Sequence, residues 1–274
     1  MMVEAADSLM GCGASWIGDY GVTGCLARAI VSHYRNVIRS SKRTTMRAAG
    51  TALHDLLSTA ALSGAARNVV LRQMATSRRH YHGLLHLATL WTRHGRFGSG
   101  TPFLAPAATR LVACAIAFHD AVYDATRRDN EHRSALLWQR YAPADMSGAD
   151  VDWVSDTIEA TADHLASTDA RTNRARLRLW MLDLDLTPLG EQPELFARNT
   201  RRLRAEYRHL PEVDWQGGRL AFLRKLQAAP AVYRSAPLAA AFEQQARRNI
   251  ARELGAVITS PASRERPMAP KRRG

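Results

Sequence analysis

The chain has 274 residues, 46% of them hydrophobic and 23% charged, with a formal net charge of +13. That length suits one large domain or two small ones with a true core, and that apolar content excludes extensive disorder. Mean hydropathy is −0.28, and no apolar run approaches the ~20 residues of a spanning helix, so no membrane partner is expected.

Glu4 and Asp7 stand where a secretory leader would need basic residues. Cys12, Cys25 and Cys114 are too few and too scattered for a disulfide framework or a thiolate metal site. Both features point to the cytoplasm. A sequence pI of about 10.6 raises nucleic acid as a partner. The distribution argues against it: residues 1–50 carry +3, residues 259–274 carry +4, and 51–258 keep +6. An Arg-rich nucleic-acid-binding protein is therefore the least favoured reading.

Residues 1–50 read as a loosely ordered N-terminal extension. Gly11, Gly13, Gly18, Gly21 and Gly24 weaken any helix there. One short amphipathic helix fits 25–38, with Ser40-Ser41 and Thr44-Thr45 breaking the pattern after it. From 51 to 258 leucine and alanine dominate and strand-like alternation is missing, so the expectation is an all-α domain with a single core. Its most apolar run is Leu111 to Phe118. Asp129-Asn130-Glu131 opens a helix through Ala135, Leu136 and Tyr141, its acidic residues suited to a first turn. Asp150 caps the next, which carries Val151, Val154, Ile158 and Thr161, with His164 near its end.

Residues 177–186 are apolar on nearly every side and predict a central helix that stops at Pro188 and Gly190. Helices follow over about 192–209 and 238–255, with a shorter one from Arg219 to Leu226. Pro261, Pro267 and Pro270 among arginines make 259–274 a flexible basic tail.

Histidines concentrate the chemistry. His80, His82 and His86 fall close together, and four-residue spacing puts His82 and His86 on one face of a helix. His119-Asp120 closes the apolar run, and Asp183 and Asp185 interrupt the leucines of 177–186. A buried carboxylate is costly unless it is paired or bound to a cation; an arginine or a metal answers that need. Residues two apart on a helix point about 200° apart, so one of the two aspartates faces a site and the other a neighbour or water.

In that order, the His pair, His119-Asp120 and the later Asp resemble the HD-domain superfamily of metal-dependent phosphohydrolases, a helical-bundle fold. The segments 81–86, 118–124, 129–135, 161–164, 182–190 and 204–207, with Glu243 and 246–250, resemble its bacterial branch of predicted metal-dependent HD phosphohydrolases. The Tyr81-His82 to His86 piece is also similar to the cyclic-nucleotide phosphodiesterases, which share the HD core.

The resemblance implies a divalent cation (Mn, Fe, Zn, Ni, Co or Mg) held by His86, His119, Asp120 and Asp185. His82 and His164 become the catalytic histidines. A metal-bound hydroxide would attack phosphorus while one of these histidines protonates the leaving oxygen. The substrate implied is a small phosphorylated molecule, a nucleotide first. Arg79 joins Arg78, Arg127 and Arg128 as arginines able to hold phosphate oxygens. Tyr123, Asp124, Asn130, Glu131 and Asp183 are placed behind the ligands, orienting imidazoles, or as caps of neighbouring helices. The alternative is a non-catalytic module that keeps the fold and binds metal or nucleotide.

Overall fold

A computed structural model describes residues 43–166 and 170–258. The helix expected over 25–38 and the basic tail lie outside them. The described residues form ten α-helices and two 3-10 turns and contain no strand, so the domain is all-α. In chain order the helices are α1 (Arg43–Thr59), α2 (Gly64–Met74), α3 (Leu84–Gly98), α4 (Pro106–Phe118) and α5 (Asn130–Tyr141). Then come α6 (Gly148–Ala160), α7 (Asn173–Leu186), α8 (Pro193–Glu206), α9 (Glu212–Ala228) and α10 (Ala236–Ile258). The 3-10 turns are Thr161–Asp163, after α6, and Thr187–Gly190, after α7.

The core forms around α4 and α7. Every residue from Leu111 to Phe118 is buried, and Trp180, Met181, Leu182 and Leu184 of α7 are fully covered. Helix α4 touches α1, α3, α6, α5 and α7, and α3 lies against α7. One contiguous cluster runs from Leu53 in α1 to Leu254 in α10, a single core.

Several boundaries differ from the pattern-based expectation, each for a local reason. Thr44 and Thr45 lie inside α1, which crosses residue 50 and buries Ala49 and Leu53; burial of that face outweighs the weak propensity of two threonines. The cap of α6 is Ser147 and not Asp150: its Oγ accepts from Asp150 N at 3.2 Å and donates to the Asp150 carboxylate at 2.8 Å. One hydroxyl thus satisfies a first-turn N–H and holds the Asp150 side chain at the helix start. Helix α9 starts at Glu212, with Glu212 and Asp214 in its first turn, rather than at Arg219. Gly217 and Gly218 hide it in the sequence, because each costs a helix about 1 kcal/mol relative to alanine.

The turn after α7 is where three elements meet, since both α8 and α10 pack on it. A Cβ on Gly190 would lie 2.6 Å from the Phe242 Cβ and 2.8 Å from its carbonyl oxygen, so only glycine lets α10 come this close. Asn249 Nδ2 donates to the carbonyls of Leu189 and Glu191 at 2.8 and 2.7 Å, and Tyr233 Oη donates to Leu186 O at 2.9 Å. The end of α7 is thereby fixed against α10.

Candidate metal centre

Three elements bring their ends to one point. His86 sits in the first turn of α3, His119 caps the C-terminus of α4, and Asp185 lies in the last turn of α7. His86 Nε2 is 3.2 Å from His119 Nε2 and 3.0 Å from Asp185 Oδ1, and His119 Nε2 is 3.6 Å from the same oxygen. Asp120 Oδ2 stands 3.1 Å from His119 Nε2 and 3.8 Å from His86 Nε2. His86, His119 and Asp185 form a group that could hold a metal ion, with all three ligand atoms within 4.8 Å of one another. Asp120 lies beside this trio.

The donor chemistry fits a divalent cation. Ligand bonds of about 2.0–2.2 Å put neighbouring donors about 3 to 3.5 Å apart, close to the spacing seen here. His119 is also oriented for ligation. Its Nδ1 donates to Ile116 O at 3.0 Å, which leaves Nε2 as the free donor atom turned to the centre.

Charge is concentrated at this point. Burial alone would lower the His119 imidazole, but Asp120 and Asp185 hold it well above its usual value. Burial would raise the Asp185 carboxyl, yet His119, with hydrogen bonds from His164 and His86, keeps it well below the carboxylate range. Asp120 is lowered in the same way, with burial opposed by His119 and His82.

The four-residue spacing of His82 and His86 does not put them on one helix. Gly83 is the N-cap of α3, so His82 belongs to the turn before it. The two rings still lie 6.0 Å apart between centroids. Glu206, at the end of α8, holds this turn. One carboxylate oxygen accepts from the backbone N–H of Tyr81 and His82 at 2.7 and 3.0 Å, and the other is 2.7 Å from His82 Nδ1. Burial disfavours the charged imidazole, but Glu206 and Asp120 raise His82 above the ordinary histidine value. His164 follows the 3-10 turn Thr161–Asp163 and sets Nε2 2.7 Å from Asp185 Oδ2.

Arg79 is buried, and its guanidinium donates to Met74 Sδ and to the carbonyls of His82, Asp120 and Ala121. It ties the two ligand-bearing segments together, and those donors are engaged within the protein. Arg127 pairs with Asp129 at 2.6 Å at the surface, and Asp129 makes no capping bond to α5.

Tyr123 packs its ring 4.3 Å from that of His82, and its buried hydroxyl has no hydrogen-bond partner of ordinary geometry. Asn130 accepts from Asp124 N and donates to Asp124 O, both at 2.9 Å, which closes the loop after Asp120. Asp124 accepts from Thr126, and Glu131 lies in the first turn of α5. Neither Asn130 nor Asp124 bonds an imidazole of the cluster; they shape the loop that carries Asp120.

The two aspartates of α7 divide as helical geometry requires. Asp183 faces away from the cluster, is 0% exposed, and accepts from Arg234 N, Ser235 N and Ser235 Oγ at 2.7, 2.6 and 2.7 Å. Arg234 in turn donates to His164 O. Asp183 thus acts on the cluster only through Arg234 and the His164 backbone.

Beside the cluster opens a cavity of about 140 Å³, with His82, His164 and Asp185 at its inner end. Sequence reasoning assigned no role to Glu206 or to this cavity. Glu206 is one acidic residue in an arginine-rich helix, and nothing local marks it as buried under a turn 124 residues away. The chain matches no known protein-family profile, no curated protein and no solved structure.

Proposed function

We propose that the chain is a cytoplasmic, metal-dependent phosphohydrolase of the HD-domain type, acting on a small phosphorylated molecule, with nucleotides the first class to test. The observation that carries this reading is the convergence of His86, His119 and Asp185, with Asp120 beside them, next to a cavity that also reaches His82 and His164. Mixed imidazole and carboxylate donors suit Mn, Fe, Zn, Ni or Co, and Mg is kept as a candidate. When bound, the cation supplies positive charge that polarises a phosphoryl oxygen and acidifies water.

The chain's own residues supply the rest. The Ile116 carbonyl holds the His119 Nδ1–H and so aims Nε2 at the centre, where it gives up its proton as the cation binds. His82, raised above its ordinary value and held by Glu206, can donate a proton to the leaving oxygen. His164 faces the same cavity and contacts a phosphate or serves as the second proton donor. The cytoplasmic assignment rests on the cysteine usage, and no helix among the described residues is long and apolar enough to cross a membrane.

The test is elemental analysis of the purified full chain, then phosphatase assays with added Mn. His119→Ala and Asp120→Ala are expected to lose both metal and turnover. Full metal occupancy in both variants would overturn the reading. Metal without turnover of any ester in the wild type would leave a non-catalytic binding module.

A further inference from the structure

The cavity beside the cluster has a chemistry of its own. Away from His82, His164 and Asp185, its walls are mostly apolar, with Leu189, Phe196, Leu203 and Phe222 among them and Tyr81, Asn199 and Thr200 as neutral polar residues. Arg219 is the one arginine or lysine among its described lining residues, and it is already neutralised. Its guanidinium donates to both Glu253 oxygens at 2.9 and 3.2 Å and lies 5.8 Å from the ring centroids of Phe196 and Phe222. Asn199 is half-buried at this wall, and no described residue hydrogen-bonds its amide. Such an amide can both donate and accept. Away from the cluster, a pocket with mostly apolar walls, an arginine already offset by its own carboxylate and an open neutral amide disfavours a second charged group, because a charge buried there finds no unpaired partner.

We propose that this pocket receives a neutral, flat ring with a hydrogen-bonding edge, joined directly to the phosphate held at the metal cluster. The inference rests on the phosphohydrolase reading and narrows it. The substrate is a monophosphate ester of an alcohol bearing one neutral ring system, not a polyphosphate chain or an ester of a charged alcohol. A volume of about 140 Å³ is enough for one such ring, since a cavity of about 150 Å³ takes up benzene. Phe222 is 37% exposed, so the ring's outer face meets it at the mouth. The inner end of the pocket is where His82 and His164 meet the ester.

The experiment measures binding to the metal-loaded full chain by calorimetry, with phenylphosphonate and methylphosphonate as charge-matched, non-hydrolysable probes. Phenylphosphonate is expected to bind at least about tenfold tighter, the gain of burying one ring. Leu203→Glu should erase that difference, read as the ratio of the two affinities so that the added charge acts on both probes alike, and leave metal content unchanged. Equal binding of the two probes in the wild type, or a preference that survives Leu203→Glu, would overturn the assignment. If Leu203→Glu does not fold, the half-exposed Phe222→Ala and the polar Asn199→Leu take its place, and an undiminished phenyl preference in both overturns it equally. Failure of both phosphonates to bind rejects the phosphohydrolase reading. In that event neutral benzamide decides the pocket alone: binding that Leu203→Glu removes retains the ring site, and no binding rejects it.

Discussion

Asp183 and Asp185 are the same residue type, two positions apart on one helix, and both are taken from solvent, yet they meet opposite surroundings. Asp183 meets donors that its own fold supplies, two backbone N–H groups, the Ser235 hydroxyl and, at 3.4 Å, the Arg234 guanidinium. Asp185 meets three imidazoles, from His86, His119 and His164. The first carboxylate is complete within the chain and fastens α10 to α7. The second is part of a cluster whose donor atoms all turn to one point, the convergence on which the metal proposal rests. Burial of a carboxylate does not by itself mark a site; the identity of its partners does.

The contrast can be broken by two substitutions. Asp185→Ala should abolish metal binding, a loss of at least about a thousandfold in affinity, because it removes one of the four expected ligands. The metal-free variant should lose some stability, because a buried imidazolium loses one partner, but less than Asp183→Ala, since Asp120 remains 3.1 Å from His119. Asp183→Ala should do the reverse. It strands two backbone donors and a hydroxyl in the interior and should lower stability by about 3–5 kcal/mol in urea unfolding. Equal stability losses in the two variants would erase the distinction.

Histidines sharpen the same comparison with a smaller effect. His94 is as buried as His119 but has no carboxylate against it: it stacks on Trp91 and accepts from Trp180 Nε1 at 3.0 Å. Burial pushes His94 down to about 4, whereas the two aspartates hold His119 well above 6.5. At pH 5.5, NMR of the metal-free protein should show a neutral His94 and a charged His119. The unfolded chain takes up the His94 proton near pH 6.5 and the folded chain only near 4. Stability due to His94 is therefore complete above that window and lost as pH falls through it, by at most about 1.4 kcal/mol per pH unit. His94→Gln, which keeps an acceptor for Trp180, should flatten that loss.

What could be read from the sequence follows how far each partner lies along the chain. The helices of 111–118 and 177–186 announce themselves because the first is an unbroken apolar run and the second is apolar on nearly every side, despite Arg178, Asp183 and Asp185. The split between Asp183 and Asp185 follows from 3.6 residues per turn. Which aspartate faces the cluster does not follow, because Ser235 is 52 residues away from Asp183. The spacing of His82 and His86 misleads for another reason. A four-residue spacing means one helical face only if the helix has begun, and it begins after Gly83. Arg79 resembled a phosphate ligand because arginine beside histidine is all the sequence displays. Its acceptors are carbonyls, and a carbonyl leaves no mark in a sequence.

The bond from Ser235 to Asp183 also fixes an order of assembly. Every expected metal ligand precedes residue 186, but the donors that fasten the last turns of α7 belong to residues 234 and 235, and those that secure the turn beyond it reach Asn249. A nascent chain that has emerged only as far as α9 already carries His86, His119, Asp120 and Asp185. It still lacks the clasp that fixes the aspartate's helix. Synthesis from the N-terminus therefore leaves the cluster's completion to the final helix, so the ligands come to their working positions only when nearly the whole domain has been made.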